Sequence, residues 1–109
     1  MVQYDLSPKY DRAKSFYGKA VVVEENNSVS LISYNSCICQ ISKVGCDDVK
    51  VKIYNVTDYY GNSLTFSNTS LRHLKEFLLQ NGFKAESKSQ ICKDYDIADG
   101  GQTDAKSGR

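Results

Sequence analysis

No part of this chain carries a helical period more clearly than SNTSLRHLKEFLLQNGF, residues 67–83. Leu71, Leu74, Phe77 and Leu78 recur there at three- and four-residue spacing, which sets them on one stripe of a helix. Arg72, His73, Glu76 and Gln80 fall on the opposite side. Upstream, apolar residues alternate with polar ones at a period of two, the spacing of strands with one buried face. A lone apolar stripe cannot bury itself, and a one-faced sheet cannot either, so the two must cover each other. The fold class that follows is α+β. An antiparallel β-sheet of roughly four to five strands runs as a meander, and a C-terminal amphipathic α-helix packs on one of its faces. The other face is left to solvent.

The strands can be read one by one. SFYGKAVVVEE (15–25) is rich in valine, which favours pleated structure. Asn26 and Asn27 form a turn signal, and SVSLISY (28–34) completes a hairpin. CICQISKV (37–44) is apolar on both faces, because cysteine packs as a small hydrophobe; this suits a central strand. After the turn GCDD (45–48), VKVKIYN (49–55) is the cleanest alternation in the chain. Val49, Val51 and Ile53 face one way, and Lys50, Lys52 and Tyr54 the other. TDYYGNS (57–63) reads as a turn and LTF (64–66) as a short last strand.

Ser67 or Thr69 is placed to cap the helix, and Arg72 and Glu76 are spaced to pair four residues apart. Gly82 stands where a left-handed residue closes a helix, with Phe83 folding back on Leu78 or Leu79. KAESKSQICKDYDI (84–97) fits a short strand or a helix. Residues 1–14 read as an arm or a short helix, residues 15–97 as one domain, and residues 98–109 as a disordered tail.

A chain of 109 residues holds one modest core. Its net charge of +1 gives no strong field toward DNA or anionic lipid. No apolar run approaches the roughly 20 residues of a membrane span, and the first residues lack the apolar stretch of a signal peptide. We therefore expect no membrane contact, a cytoplasmic location and reduced cysteines. Cys37 and Cys39 are separated by a single residue, which is not zinc-knuckle spacing, so neither metal nor cofactor is expected. Catalysis by a cysteine or serine would need a base beside it, and His73 is the sole histidine. No phosphate-cradling glycine loop, dinucleotide fingerprint or paired-carboxylate motif is present. The chain reads as non-enzymatic.

Two candidate binding surfaces stand out. The helix entrance gathers Ser67, Thr69, Ser70, Arg72 and His73, where free N–H groups and the helix dipole favour an anion. The bland reading of the same residues is an ordinary cap. The second surface is the open sheet face, with Lys50, Lys52 and Tyr54 on a strand and Tyr59 and Tyr60 in the next turn. Aromatics beside lysines can stack bases and hold phosphates, and tyrosine is also enriched in protein interfaces. The bland reading is a solvated face whose lysines protect a strand.

FYGKAVVVEENNSVSLISYNS followed by FSNTSLRHLKEFLLQNGF resembles a family of small uncharacterised proteins from phages and mobile elements of Gram-positive, often gut, bacteria. That family opens with a Tyr-Gly-Lys-Ala strand, matched by Tyr17–Ala20. A Leu-x-Ser-Tyr-Asp/Asn-Thr strand follows, matched by Leu31–Ser36 with Ser36 in place of threonine. A Ser-x-Thr-Thr-x-Arg-His helix with a later Phe-Leu closes it; Ser67 through Leu78 match, with Ser70 for the second threonine. The resemblance implies a phage-type accessory protein and no particular reaction. The expectation is a non-catalytic protein that binds a host protein, as an inhibitor of a host defence system. The alternative is a small nucleic-acid- or nucleotide-binding module using the same basic and aromatic residues.

Overall fold

The computed structural model describes residues 2–12, 14–16, 18–34, 36–44, 48–57 and 60–102. Six strands form one sheet in chain order: β1 (Val2–Asp5), β2 (Ala20–Glu24), β3 (Ser28–Ser33), β4 (Ser36–Val44), β5 (Asp48–Thr57) and β6 (Asp96–Gln102). The first five pair antiparallel, and β6 pairs parallel to β5. A parallel neighbour needs a crossover. Helices α1 (Asn68–Gln80) and α2 (Lys88–Asp94) supply it. The α+β class expected from the sequence is what the chain adopts, with more strands than anticipated and one parallel pair.

Register lines the core up in rows. Val22 pairs with Leu31, Leu31 with Cys39 and Cys39 with Ile53, so four side chains stand side by side on one face. Each is at most 1% exposed. They join Leu74, Phe77 and Leu78 of α1 and Ile91 of α2 in a single cluster, so both helices sit on this face. The next row, Val29–Ile41–Val51, continues the floor toward the end of the sheet. The register of β3 on β4 slips between Leu31 and Ile32, and around this bulge the consecutive residues Ile38 and Cys39 are both buried. That is why this strand reads as apolar on both faces.

Several expectations need correction. The first residues are neither arm nor helix. Val2–Asp5 pair with β2, Leu6 donates to the Ala20 carbonyl at 2.9 Å, and Leu6 is buried. Leu64–Phe66 form no strand; Ser63 makes an isolated bridge to Thr57, and the chain then turns. Thr65 instead uses its hydroxyl, which accepts from the Val56 N–H at 2.9 Å and donates to the Tyr54 carbonyl at 2.5 Å. Residues 98–102 are not tail but the larger part of strand β6, held by the edge of β5 that periodicity in a glycine-containing segment could not reveal. The rest of the expected tail, 103–109, lies outside the described residues. Ser67 precedes α1 in extended conformation but makes no side-chain cap; its hydroxyl donates to the Leu64 carbonyl at 2.9 Å. The C-terminal end of α1 matches expectation. Gly82 has φ of 84°, its N–H reaches Leu79 O at 3.1 Å, and Phe83 N–H reaches Leu78 O at 2.9 Å.

Candidate functional site

The side of α1 opposite its apolar stripe is not bare. Residues 7–11 lie over it, and Leu6 and Phe16 on either side of them are buried. Glu76, only 1% exposed, is the centre of this contact. Its carboxylate accepts the backbone N–H groups of Lys9 at 3.0 Å, Tyr10 at 2.9 Å and Asp11 at 2.9 Å. Gln80 Nε2 also donates to Glu76 at 2.5 Å and to the Ser7 carbonyl at 2.7 Å. A buried carboxylate is tolerated because its oxygens are saturated by donors. One turn earlier, Arg72 binds the Asp11 carboxylate through Nε at 3.0 Å and Nη2 at 2.5 Å. Residues 72, 76 and 80 thus form a polar ladder on one face of α1, and the N-terminal strap is its partner. The expected Arg72–Glu76 pair does not form; both side chains turn to the strap instead.

His73 also leaves the surface position expected for it. It is 1% exposed. Its Nδ1 shares a hydrogen bond with Ser33 Oγ at 2.9 Å, and Ser33 Oγ lies 3.1 Å from Ser70 Oγ. Phe16 meets the imidazole edge-on at 4.6 Å, and Tyr34 tilts over it at 5.8 Å. Burial, and then the nearby Arg72 cation, push its pKa down to about 4. At neutral pH the ring is uncharged and part of the packing.

The helix entrance is therefore not an assembled anion site. Ser70 and His73 are buried in the network just described, Arg72 is committed to Asp11, and Ser67 bonds the preceding turn. Only Thr69 of this group stands exposed and without a described hydrogen bond. The second candidate surface lies on the opposite face of the sheet. Lys52 pairs with Gln40 on β4 and with Asp96 on β6, and Lys50 pairs with Ser42. Tyr54 is half-buried and packs against the core, whereas Tyr60 is exposed. Tyr59 lies outside the described residues. The two candidate surfaces are thus separated by the sheet and do not form one site.

Pairing on the outer face defines a row crossing every strand: Gln3, Val23, Ser30, Gln40, Lys52 and Asp96. It sets one valine among polar groups, is charge-balanced and lies opposite both helices. Tyr34 is a residue that sequence reasoning passed over. It sits in the tight turn between β3 and β4 with φ of 49°, a left-handed conformation unusual for a bulky side chain. Lys19 Nζ lies 5.6 Å from its ring centroid. The only sequence signal was an aromatic in a two-residue hairpin position that normally takes Asn or Gly.

Among the described cysteines, Cys39 is buried, and Cys37 and Cys92 are exposed. Burial raises the pKa of the Cys39 thiol, and partial desolvation of its sulfur raises that of Cys37 although the residue as a whole is exposed, so neither thiol is primed by a lowered pKa. Among the described residues no group of three His, Cys, Asp or Glu could hold a metal ion, and no helix is long and apolar enough to cross a membrane. Cys46 lies outside them.

A model for a family of unknown function (DUF8033) matches residues 4–93, from β1 through nearly all of α2. No curated protein and no solved structure gives a match.

Proposed function

The chain belongs to this family of unknown function, and on that footing we propose that it is a non-catalytic accessory protein of a phage or other mobile element. It acts in the host cytoplasm by binding a host protein, with host defence factors as the class of target. The observation that carries the reading is the outer row on the sheet. Both helices pack on the opposite face, so the Gln3-to-Asp96 row presents half-exposed Val23 and Gln40 beside exposed Lys52. A face that mixes apolar, amide and charged groups suits a protein partner. The residues whose chemistry could have served catalysis, His73, Ser33 and Glu76, are occupied in holding the fold.

The nucleic-acid reading has less support. It needs an uninterrupted basic track. Asp96 stands directly beside Lys52, and Tyr54 is half-buried against the core, which reduces the ring area open for stacking.

The test is affinity capture from a Gram-positive host lysate, with and without nuclease, using the natural chain and a Gln40→Arg/Lys52→Glu variant. The expected result is a discrete host protein that survives nuclease and is lost with the variant. Material that disappears on nuclease treatment and binds less tightly as salt rises would replace this reading with the nucleic-acid one.

A further inference from the structure

The helix and the strands it covers differ in length. The 13 residues of α1 span about 20 Å, whereas the 9 and 10 residues of β4 and β5 span about 30 Å. The sheet therefore runs on beyond the C-terminal end of α1, and the core floor runs with it. Val29 is left half-exposed and Val49 is 45% exposed. Two adjoining hollows occupy this overhang, of about 360 and 380 Å³, and both are lined by Val49 and Phe83. Together they make a groove with an apolar floor.

Its charge is opposite in sign to that of the whole chain. Glu24 and Glu25 line one end, and Asp94 and Asp96 the other. Against these four carboxylates the lining holds two cations, Lys43 and Lys50. The chain overall carries +1. The C-terminal end of α1 adds to the negative side, since Asn81 lines the groove and the last turn of α1 contains no basic residue. The negative end of that helix dipole is not offset from within the helix.

We propose that this groove is a docking site for a polypeptide segment presenting an apolar side chain between lysines or arginines. The apolar group covers Val49 and Phe83 and completes the core beyond α1. The flanking cations meet the carboxylates at the two ends, which gives the segment its register and its selectivity. The proposal shares with the preceding section the premise that this protein binds another protein, but its apolar floor of Val29, Ile41 and Val51 lies on the helix-covered face, and Asp96 at the sheet border is common to both surfaces.

The experiment is selection from a random synthetic dodecapeptide library on the full chain, with sequencing of the bound fraction. A Val49→Glu variant and a Glu25→Lys/Asp94→Lys variant run in parallel, each checked for an unchanged thermal midpoint. The expected result is enrichment of peptides with an apolar residue flanked by Lys or Arg. Their affinity should fall at least tenfold in both variants and stay unchanged in Gln40→Arg, which changes the outer row one strand away from Asp96's neighbour Lys52. An acidic or uncharged consensus, no enrichment, or enrichment untouched by the groove variants overturns the proposal. So does sedimentation showing a dimer that Val49→Glu dissociates, because the groove would then be a contact between two copies. Failure here with capture intact in the lysate assay removes the groove alone; loss of the lysate partner with the groove intact removes the outer-face reading alone.

Discussion

The carboxylate of Glu76 accepts the backbone N–H of Tyr10 at 2.9 Å, across 66 positions of the chain. One helical side chain thus collects three successive N–H groups, which converge on it as backbone donors do on an anion. Glu76→Ala leaves these donors without their partner in a buried setting. The expected loss is about 3 kcal/mol, the range for breaking a buried charged hydrogen-bond network. Glu76→Gln keeps one acceptor oxygen and should lose about half as much. Urea unfolding measures both, and hydrogen exchange at residues 9–11 should quicken more than at β3.

His73 makes stability depend on pH in a defined direction. Its folded pKa of about 4 lies below the ordinary value of 6.5, so the unfolded chain binds a proton that the folded chain refuses. The contribution is complete above pH 6.5 and is lost as pH falls toward 4, by an amount on the order of a few kcal/mol. In His73→Phe this part of the slope should vanish. The comparison is the difference between the two proteins' unfolding free energies at successive pH values, which removes carboxylate titration common to both.

Arg72 is a contrasting case on the same ladder. Its side chain is 51% exposed although it binds Asp11 through two nitrogens. Arg72→Ala should therefore cost little stability, and less still in high salt. It should also leave host-protein capture unaffected. A large loss of capture with little loss of stability would return Arg72 to the binding surface.

Gly82 isolates a backbone effect. A Cβ built there meets nothing within 4 Å, yet φ is 84°. Gly82→Ala should destabilise by about 1 kcal/mol through conformation alone, and Gly82→Asn by less, since asparagine tolerates the left-handed region. Thermal unfolding of the two variants gives the ranking.

Much of the fold was legible because it follows local periodicity. Ile53 lies in a strand of alternating character, Val22 and Leu31 lie in strands rich in β-branched residues, and Leu74, Phe77 and Leu78 fall on a helical stripe; all are fully buried. What could not be read were the contacts made between distant segments. Glu76 and His73 look like solvent-facing residues on a helical wheel, because the wheel does not contain the strap that covers them. Strand β6 is equally hidden, since Asp96–Gln102 gains its structure from pairing with β5 and not from its own composition. The helix entrance illustrates the same limit for function. Ser70, Arg72 and His73 are neighbours in sequence, but they are drawn to two separate partners: Ser33 for Ser70 and His73, and Asp11 for Arg72.

The strand order places β1 and β6 at the two borders of the sheet. Each border is made by a short or glycine-containing strand, and behind each lies a strand rich in valine or isoleucine. Deleting Val2–Asp5 would bare the backbone of β2, with Val21, Val22 and Val23 in sequence along it. An open apolar strand of that kind pairs readily with its like. The outermost strands therefore protect solubility, and a shortened chain should aggregate before it loses its core.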